Sequence, residues 1–470
     1  MGTILIKNGI IVDTDHEYRA NLLIEGEKIV AITDQTPNAD EVVDAEGKYI
    51  LPGGIDEHTH LGSFGGMGFE TTHAALAGGT TMVIDFAPMH EGETFSDAIE
   101  AHDQTAAGIA SCDYAFHSMV MGGGHKGLFD DIKNLPKHGV STIKLLMGYK
   151  GSEYYSNDET IMHCMREARK YGITTMLHCE NSDMISYLTE ILEKEHPEQT
   201  IDHYYSRLPI TEVEATRRGI DMAILTRAPL FIVHVTLEDS MLAIRDAYQK
   251  GYPIYGETCT HYLTLHKSYL GLPHFEGAKY VCAPPLRDKS NQEPLWEGLR
   301  RGWLTATSSD HCALVGGFQK KKEGYGDFAK IPNGVPGMQE RMSMLWTYGV
   351  EAGHISRQKF VEITATNPAR LLNIPHKGRI AVGCDADILI WDQDYEGEIH
   401  NKDLCQGIDY SAFEGFKIKG RADKVFLRGQ LMAEKGKFIG KKGEGKRQHA
   451  KPFGFCFDYL RRPLVEPRSS

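Results

Sequence analysis

Two histidines, His58 and His60, stand one residue apart at the end of the run Gly53-Gly54-Ile55-Asp56-Glu57. On a strand, residues i and i+2 point to the same face, so both imidazoles can reach one ion. Other short apolar runs are closed or interrupted by single polar groups. These are Lys144 in Ile143-Lys144-Leu145, His178 after Met176-Leu177, His234 after Ile232-Val233, and Asp310 after Ser308-Ser309. Singly, each has an ordinary explanation: a strand histidine can be a hydrogen-bonded core residue, and an aspartate after two serines can cap a helix. Lys144 is harder to place, because burying an unpaired ammonium is costly. Reaction of its neutral amine with carbon dioxide would give a carbamate, an anion whose two oxygens can bridge two cations. With four histidines and one aspartate, that group completes a site for two divalent metal ions holding a bridging hydroxide at neutral pH. The nitrogen-rich, sulfur-free donor set suits zinc, with manganese, cobalt or nickel as alternatives.

The elements that must position these groups recur regularly. Apolar runs at 80–86, 113–120, 141–147, 174–180, 230–236, 253–259 and 304–311 join the one ending at 55–60, with helical patterns between them. Eight such runs read as parallel strands buried on both faces, and predict an α/β fold, a (β/α)8 TIM-like barrel over 52–375. One connecting helix is predicted from a capping box at Ser156 and Glu159 and a closing Gly172. Strand–glycine–strand patterns occur around Gly9, Gly26 and Gly429, at both ends of the chain. Unpaired edges need partners, so residues 1–51 and 376–445 are expected to build one small β-sandwich domain. Residues 446–470 then form a C-terminal arm. From Lys435 onward the chain is basic and Gly-rich, which reads as a solvated tail. Phe453, Phe455, Phe457 and Tyr459 make packing against another subunit the alternative.

Composition excludes several classes. At 41% hydrophobic and 24% charged residues, the 470-residue chain is neither disordered nor a coiled coil. A net charge of −13 argues against nucleic acid as a partner. No run approaches the roughly 18 apolar residues of a membrane span, and no basic-then-apolar leader opens the chain. A cytoplasmic location is expected. The nine cysteines are scattered without a CxxC pair, so neither a disulfide framework nor a cysteine zinc site is expected.

The ordered set of Pro52-Gly53-Gly54-Ile55-Asp56-Glu57-His58-Thr59-His60, Lys144, His178, His234 and Ser309-Asp310-His311 resembles the amidohydrolase superfamily. Asp85-Phe86, Val281-Cys282-Ala283-Pro284-Pro285, Ile331-Pro332-Asn333-Gly334 and Asp409-Tyr410-Ser411 extend the resemblance to its dihydropyrimidinase and hydantoinase branch. The resemblance implies metal-dependent opening of a dihydropyrimidine or hydantoin ring to an N-carbamoyl amino acid. It places His58, His60 and Asp310 on one metal and His178 and His234 on the other, with carboxylated Lys144 (N6-carboxylysine) between them. Asp310 would be general base and then general acid, and Tyr149 the donor to the oxyanion, brought back toward the site by a bend at Gly148. Main-chain groups near Ala283 and Asn333 would hold the ring amide; Ala283 stands where the family commonly has serine. Phe64, Met67 and Phe69 would form a substrate lid, on a loop that looks shorter than the family's. A homotetramer or dimer is implied. Rival readings are allantoinase and a non-catalytic adaptor on the same scaffold. Dihydroorotase is disfavoured, because Leu61 rather than an arginine follows the histidine pair.

Overall fold

The computed structural model describes residues 2–121 and 127–457. The eight apolar runs form the strands Gly54–Thr59, Thr80–Met89, Asp113–Val120, Thr142–Leu146, Thr174–His178, Leu230–Ile232, Ile254–Cys259 and Ala306–Ser308. They lie in sequence order in one parallel sheet. The sheet is almost closed. A parallel bridge pairs Thr59 with His311, His60 N–H donates to the His311 carbonyl at 2.7 Å, and Ser309 N–H donates to Asp56 Oδ1 at 2.9 Å. Nearly every strand residue is buried, as expected where helices cover the outside and side chains fill the bore.

The two chain ends share a nine-stranded, mostly antiparallel sheet. Tyr49–Pro52 from the first end pairs with Ile388–Glu398 from the second, in the register Leu51 to Leu389. Ile6, Leu22, Ile24, Ile50, Ile388 and Phe426 form a core of its own for this layer. Gly26 and Gly429 turn hairpins with positive φ, as the spacing predicts. Gly9 does not. Thr3–Val12 is one continuous strand with a bulge between Ile6 and Gly9, where Asn8 takes φ 60°. Gly9 is needed for space, since a Cβ there would meet Ile50 Cδ1 at 2.3 Å.

Two further expectations are corrected. The helix Asp158–Lys170 is capped by Asn157, whose side chain accepts from Thr160 N–H at 2.9 Å, and not by Ser156. Asparagine one residue nearer the helix reaches the free N–H groups of the first turn. The solvated-tail reading also fails within the described residues. Lys437–Phe438 is a strand, and residues 446–457 run back along the chain's own barrel. Phe455 ends in the bore, edge-on to Tyr255 at 4.8 Å, with Cys456 and Phe457 buried beside it. Tyr459 lies outside the described residues. No disulfide joins any of the cysteines among the described residues, and no helix among the described residues is long and apolar enough to cross a membrane.

Candidate metal centre

At the C-terminal ends of the barrel strands the predicted donors meet around one cavity. It is lined by His58, His60, Lys144, Tyr149, His178, His234 and Asp310, together with Ala283 and Asn333. His58 sits on the first strand and His60 just past its end. Lys144 points inward from the middle of Thr142–Leu146, its Nζ 4.7 Å from the Phe86 ring and 3.5 Å from His58 Nε2. His178 closes its strand. His234 and Asp310 follow theirs by two residues, both in the left-handed region at φ 41° and 47°. Such a conformation costs a non-glycine residue about 1–3 kcal/mol and persists only where the surroundings impose it. Here it turns both side chains back over the bore.

Two groups of donor atoms result. His58 Nε2, His60 Nε2 and Asp310 Oδ1 form the first, with the oxygen 3.4 and 3.1 Å from the two nitrogens. His178 Nδ1 and His234 Nε2, 2.9 Å apart, form the second. Carboxylates behind the histidines set their protons. His58 Nδ1–H donates to Glu257 Oε1 at 2.5 Å, and His178 Nε2–H donates to Glu180 Oε2 at 2.9 Å. Each bond leaves the other ring nitrogen as a lone pair facing the cavity. In the first group a lone pair then faces a carboxylate oxygen, an arrangement that favours a cation between them. The donor set therefore fits metal ions of the zinc class.

Charge follows the same geometry. Burial opposes ionisation of Asp310, and only positive charge at the His58 and His60 side holds its carboxyl below the usual range; with His58 Nε2 a lone pair, that charge is the part a bound cation would play. Burial pulls the Lys144 ammonium down to about 8, which raises the share of neutral amine available to carbon dioxide. Burial pushes the Tyr149 hydroxyl up, so it stays protonated and can donate. The predicted bend at Gly148 is corrected: Tyr149 itself makes the turn at φ 66°. Gly148 leaves room for His178, whose Nε2 would lie 3.0 Å from a Cβ there.

Of the three lid residues, the structure brings only Phe64 to the cavity, edge-on to His60 at 4.7 Å and stacked on Tyr154. Met67 packs instead with Ala313, Ile408 and Tyr410. Phe69 is buried between the strand Asp113–Val120 and the helix Phe95–Ala106, against His102, Tyr114 and Phe116. Asp85 anchors the start of the loop, accepting from Leu61 N–H and Gly62 N–H and from His102. Glu257, Glu180, Tyr154, Cys282 and Cys312 also belong to the site or its backing, and sequence reasoning did not single them out. Glu257 carried a usable signal, the same one as Lys144: a charged residue inside an apolar strand.

The amidohydrolase family model matches residues 49–432. The chain is 40% identical over 451 residues to the D-hydantoinase of Ralstonia pickettii, covering 94% of this chain and 98% of that one. It is 41% identical over 458 residues to the D-hydantoinase of Geobacillus stearothermophilus, covering 94% and 96%. Among solved structures, the dihydropyrimidinase of Brevibacillus agri superposes with a TM-score of 0.93 at 39% identity, over 96% of this chain and 99% of that one. The L-hydantoinase of Arthrobacter aurescens gives 0.85 at 26% identity, over 95% and 99%. With its donor residues on the ends of the barrel strands and this similarity running along almost its whole length, the chain belongs to the amidohydrolase family, in the branch of the hydantoinases and dihydropyrimidinases.

Proposed function

We propose that the protein is a metal-dependent cyclic amidase that opens dihydropyrimidine or hydantoin rings to N-carbamoyl amino acids. The observation that carries this reading is the meeting of four imidazoles, Asp310 and Lys144 at one cavity, with carboxylates behind His58 and His178 turning their lone pairs inward. His58, His60 and Asp310 would hold one metal ion, His178 and His234 the second, and Lys144 as its carbamate would bridge them. Zinc fits the donors, and bound ions would supply Lewis acidity and lower the pKa of the attacking water.

The protein's own groups account for the rest. Asp310, an ionised carboxylate above the cavity floor, takes a proton from the water that adds to the ring carbonyl. As the ring C–N bond breaks, it gives that proton to the departing nitrogen. Tyr149 O–H donates to the oxyanion of the tetrahedral intermediate; the Asn333 amide stands 3.5 Å from that hydroxyl. Main-chain groups at Ala283 and Asn333 hold the ring amide, and they leave the serine-to-alanine difference at 283 without effect on such a contact. Phe64 meets the exocyclic substituent. Residues 52–375 as the catalytic domain, and 1–51 with 376–445 as the β domain, belong to the same proposal, as does a homotetramer or dimer. A cytoplasmic location belongs to the same proposal.

The test follows ring opening of dihydrouracil and 5-phenylhydantoin by ultraviolet absorbance, with metal-stripped and zinc-reloaded protein. Turnover restored by zinc is expected. Bound metal with neither ring opened would redirect the assignment to allantoin or another cyclic amide. Absence of both metal and turnover would overturn it.

A further inference from the structure

Lys321 is the last residue of the short helix Gly317–Lys321, eleven positions beyond Asp310, and its side chain is wholly buried. Among the described residues its ammonium meets no carboxylate. It donates instead to two main-chain carbonyls, Val281 O at 2.9 Å and Pro332 O at 2.7 Å. A buried cation without a counter-charge is expensive, and burial accordingly pulls it down to about 8. Each acceptor immediately precedes a cavity-lining segment: Cys282-Ala283 on one side, Asn333-Gly334 on the other. The two segments also touch directly, because Gly334 N–H donates to the same Val281 carbonyl at 3.0 Å. Cys312 N–H then bonds Val335 O at 3.0 Å, which ties this pair to the loop that carries Asp310. A neutral apolar side chain would fill the space equally well, yet could fix neither carbonyl.

We propose that Lys321 is a positioning residue. It clamps the loops bearing Ala283 and Asn333 at the spacing that grips the ring amide, and so sets substrate affinity without touching substrate. The inference rests on the cyclic-amidase reading for its kinetic arm and stands apart from it for its structural arm.

Lys321→Met and Lys321→Gln are compared with the parent protein, fully metal-loaded. KM for dihydrouracil should rise about tenfold in the methionine variant, as for loss of one or two well-placed hydrogen bonds, with kcat changed by less than about threefold. Metal content should stay at the parent value. The glutamine variant, which keeps one donor, should lie between. Amide hydrogen exchange at residues 281–286 and 331–335 should accelerate in the methionine variant, Gly334 included. Lys377→Met supplies the comparison. That buried lysine binds Asp113 and Asp387 away from the cavity, and its loss should lower Tm and leave KM alone. A KM within about twofold of the parent, with exchange unchanged, would overturn the proposal. So would a fall in kcat that tracks lost metal. If the parent opens no ring, the amidase reading fails, and exchange at the two loops still decides the clamp. If the methionine variant does not fold, the glutamine variant carries both readouts.

Discussion

His58 Nδ1 lies 2.5 Å from Glu257 Oε1, and both side chains are completely buried. The two residues come from the first and seventh barrel strands, with only the eighth between them, so the bond runs along the inner wall beneath the cavity. It fixes the proton of His58 on the nitrogen away from the site and raises the basicity of the one that faces it. Glu257→Gln keeps an acceptor of similar shape and removes the charge. Metal affinity, measured by competition with a chelator, should fall about 10- to 100-fold. Unchanged affinity would show that the carboxylate serves only to satisfy a buried N–H.

Tyr149 tests a different part of the site, since its hydroxyl lies among the donors and supplies none of them. Tyr149→Phe should bind metal like the parent and lose about 100- to 1000-fold in kcat, the usual loss when one oxyanion donor is removed. Stopped-flow or steady-state rates with parallel metal analysis make the measurement. A change confined to KM would count against a role in the transition state.

Phe455 closes the bottom of the bore against Phe231 and Tyr255. Truncating a phenylalanine buried this well costs about 3–5 kcal/mol. Phe455→Ala should therefore lower the denaturant midpoint clearly while KM holds, the cavity being at the other end of the barrel. Loss below about 1 kcal/mol would mean that the segment rests on the surface of the barrel without filling it.

Lys28 and Asp385 join the two chain ends, with Nζ 2.5 Å from Oδ1. Burial opposes ionisation of Asp385, but Lys377 and Lys28 outweigh it and hold the carboxyl below its ordinary value. A lowered native pKa adds stability above the unfolded aspartate value of about 3.9 and loses it as pH falls through the native value. Lys28→Met should thus be less stable than the parent at neutral pH, with the gap narrowing once the pH is taken below the unfolded aspartate value of about 3.9. Urea midpoints at the two pH values decide it; a gap independent of pH would remove the electrostatic explanation.

The barrel strands and the six donors were legible because burial on both faces leaves no choice of residue type. An uninterrupted apolar run ending in histidine, or holding a lysine, stands out against such a background. Tertiary choices were not legible. Met67 and Phe69 look identical to Phe64 in a list of loop hydrophobics, and only their tertiary partners, Tyr410 for Met67 and Phe116 for Phe69, draw those two away from the cavity. Ser156 and Asn157 are both good caps, and the backbone selects between neighbours. The arm misled for a related reason. Its lysines speak for solvent, whereas the fate of Phe455 depends on a bore formed by residues some two hundred positions earlier. Lys321, one of three consecutive lysines, gave no sign that it alone would be buried, with Lys320 half-buried and Lys322 exposed.

The seam between Thr59 and His311 brings together the first and last strands of the barrel, and the first donor triad straddles it: His58 and His60 on one side, Asp310 on the other. On the ribosome, the nascent chain exposes its histidine pair long before the aspartate has been synthesised. No earlier intermediate can present the triad, so the donors assemble in the same event that shuts the ring. Any ion that this triad holds can therefore be captured only after the eighth strand has closed against the first.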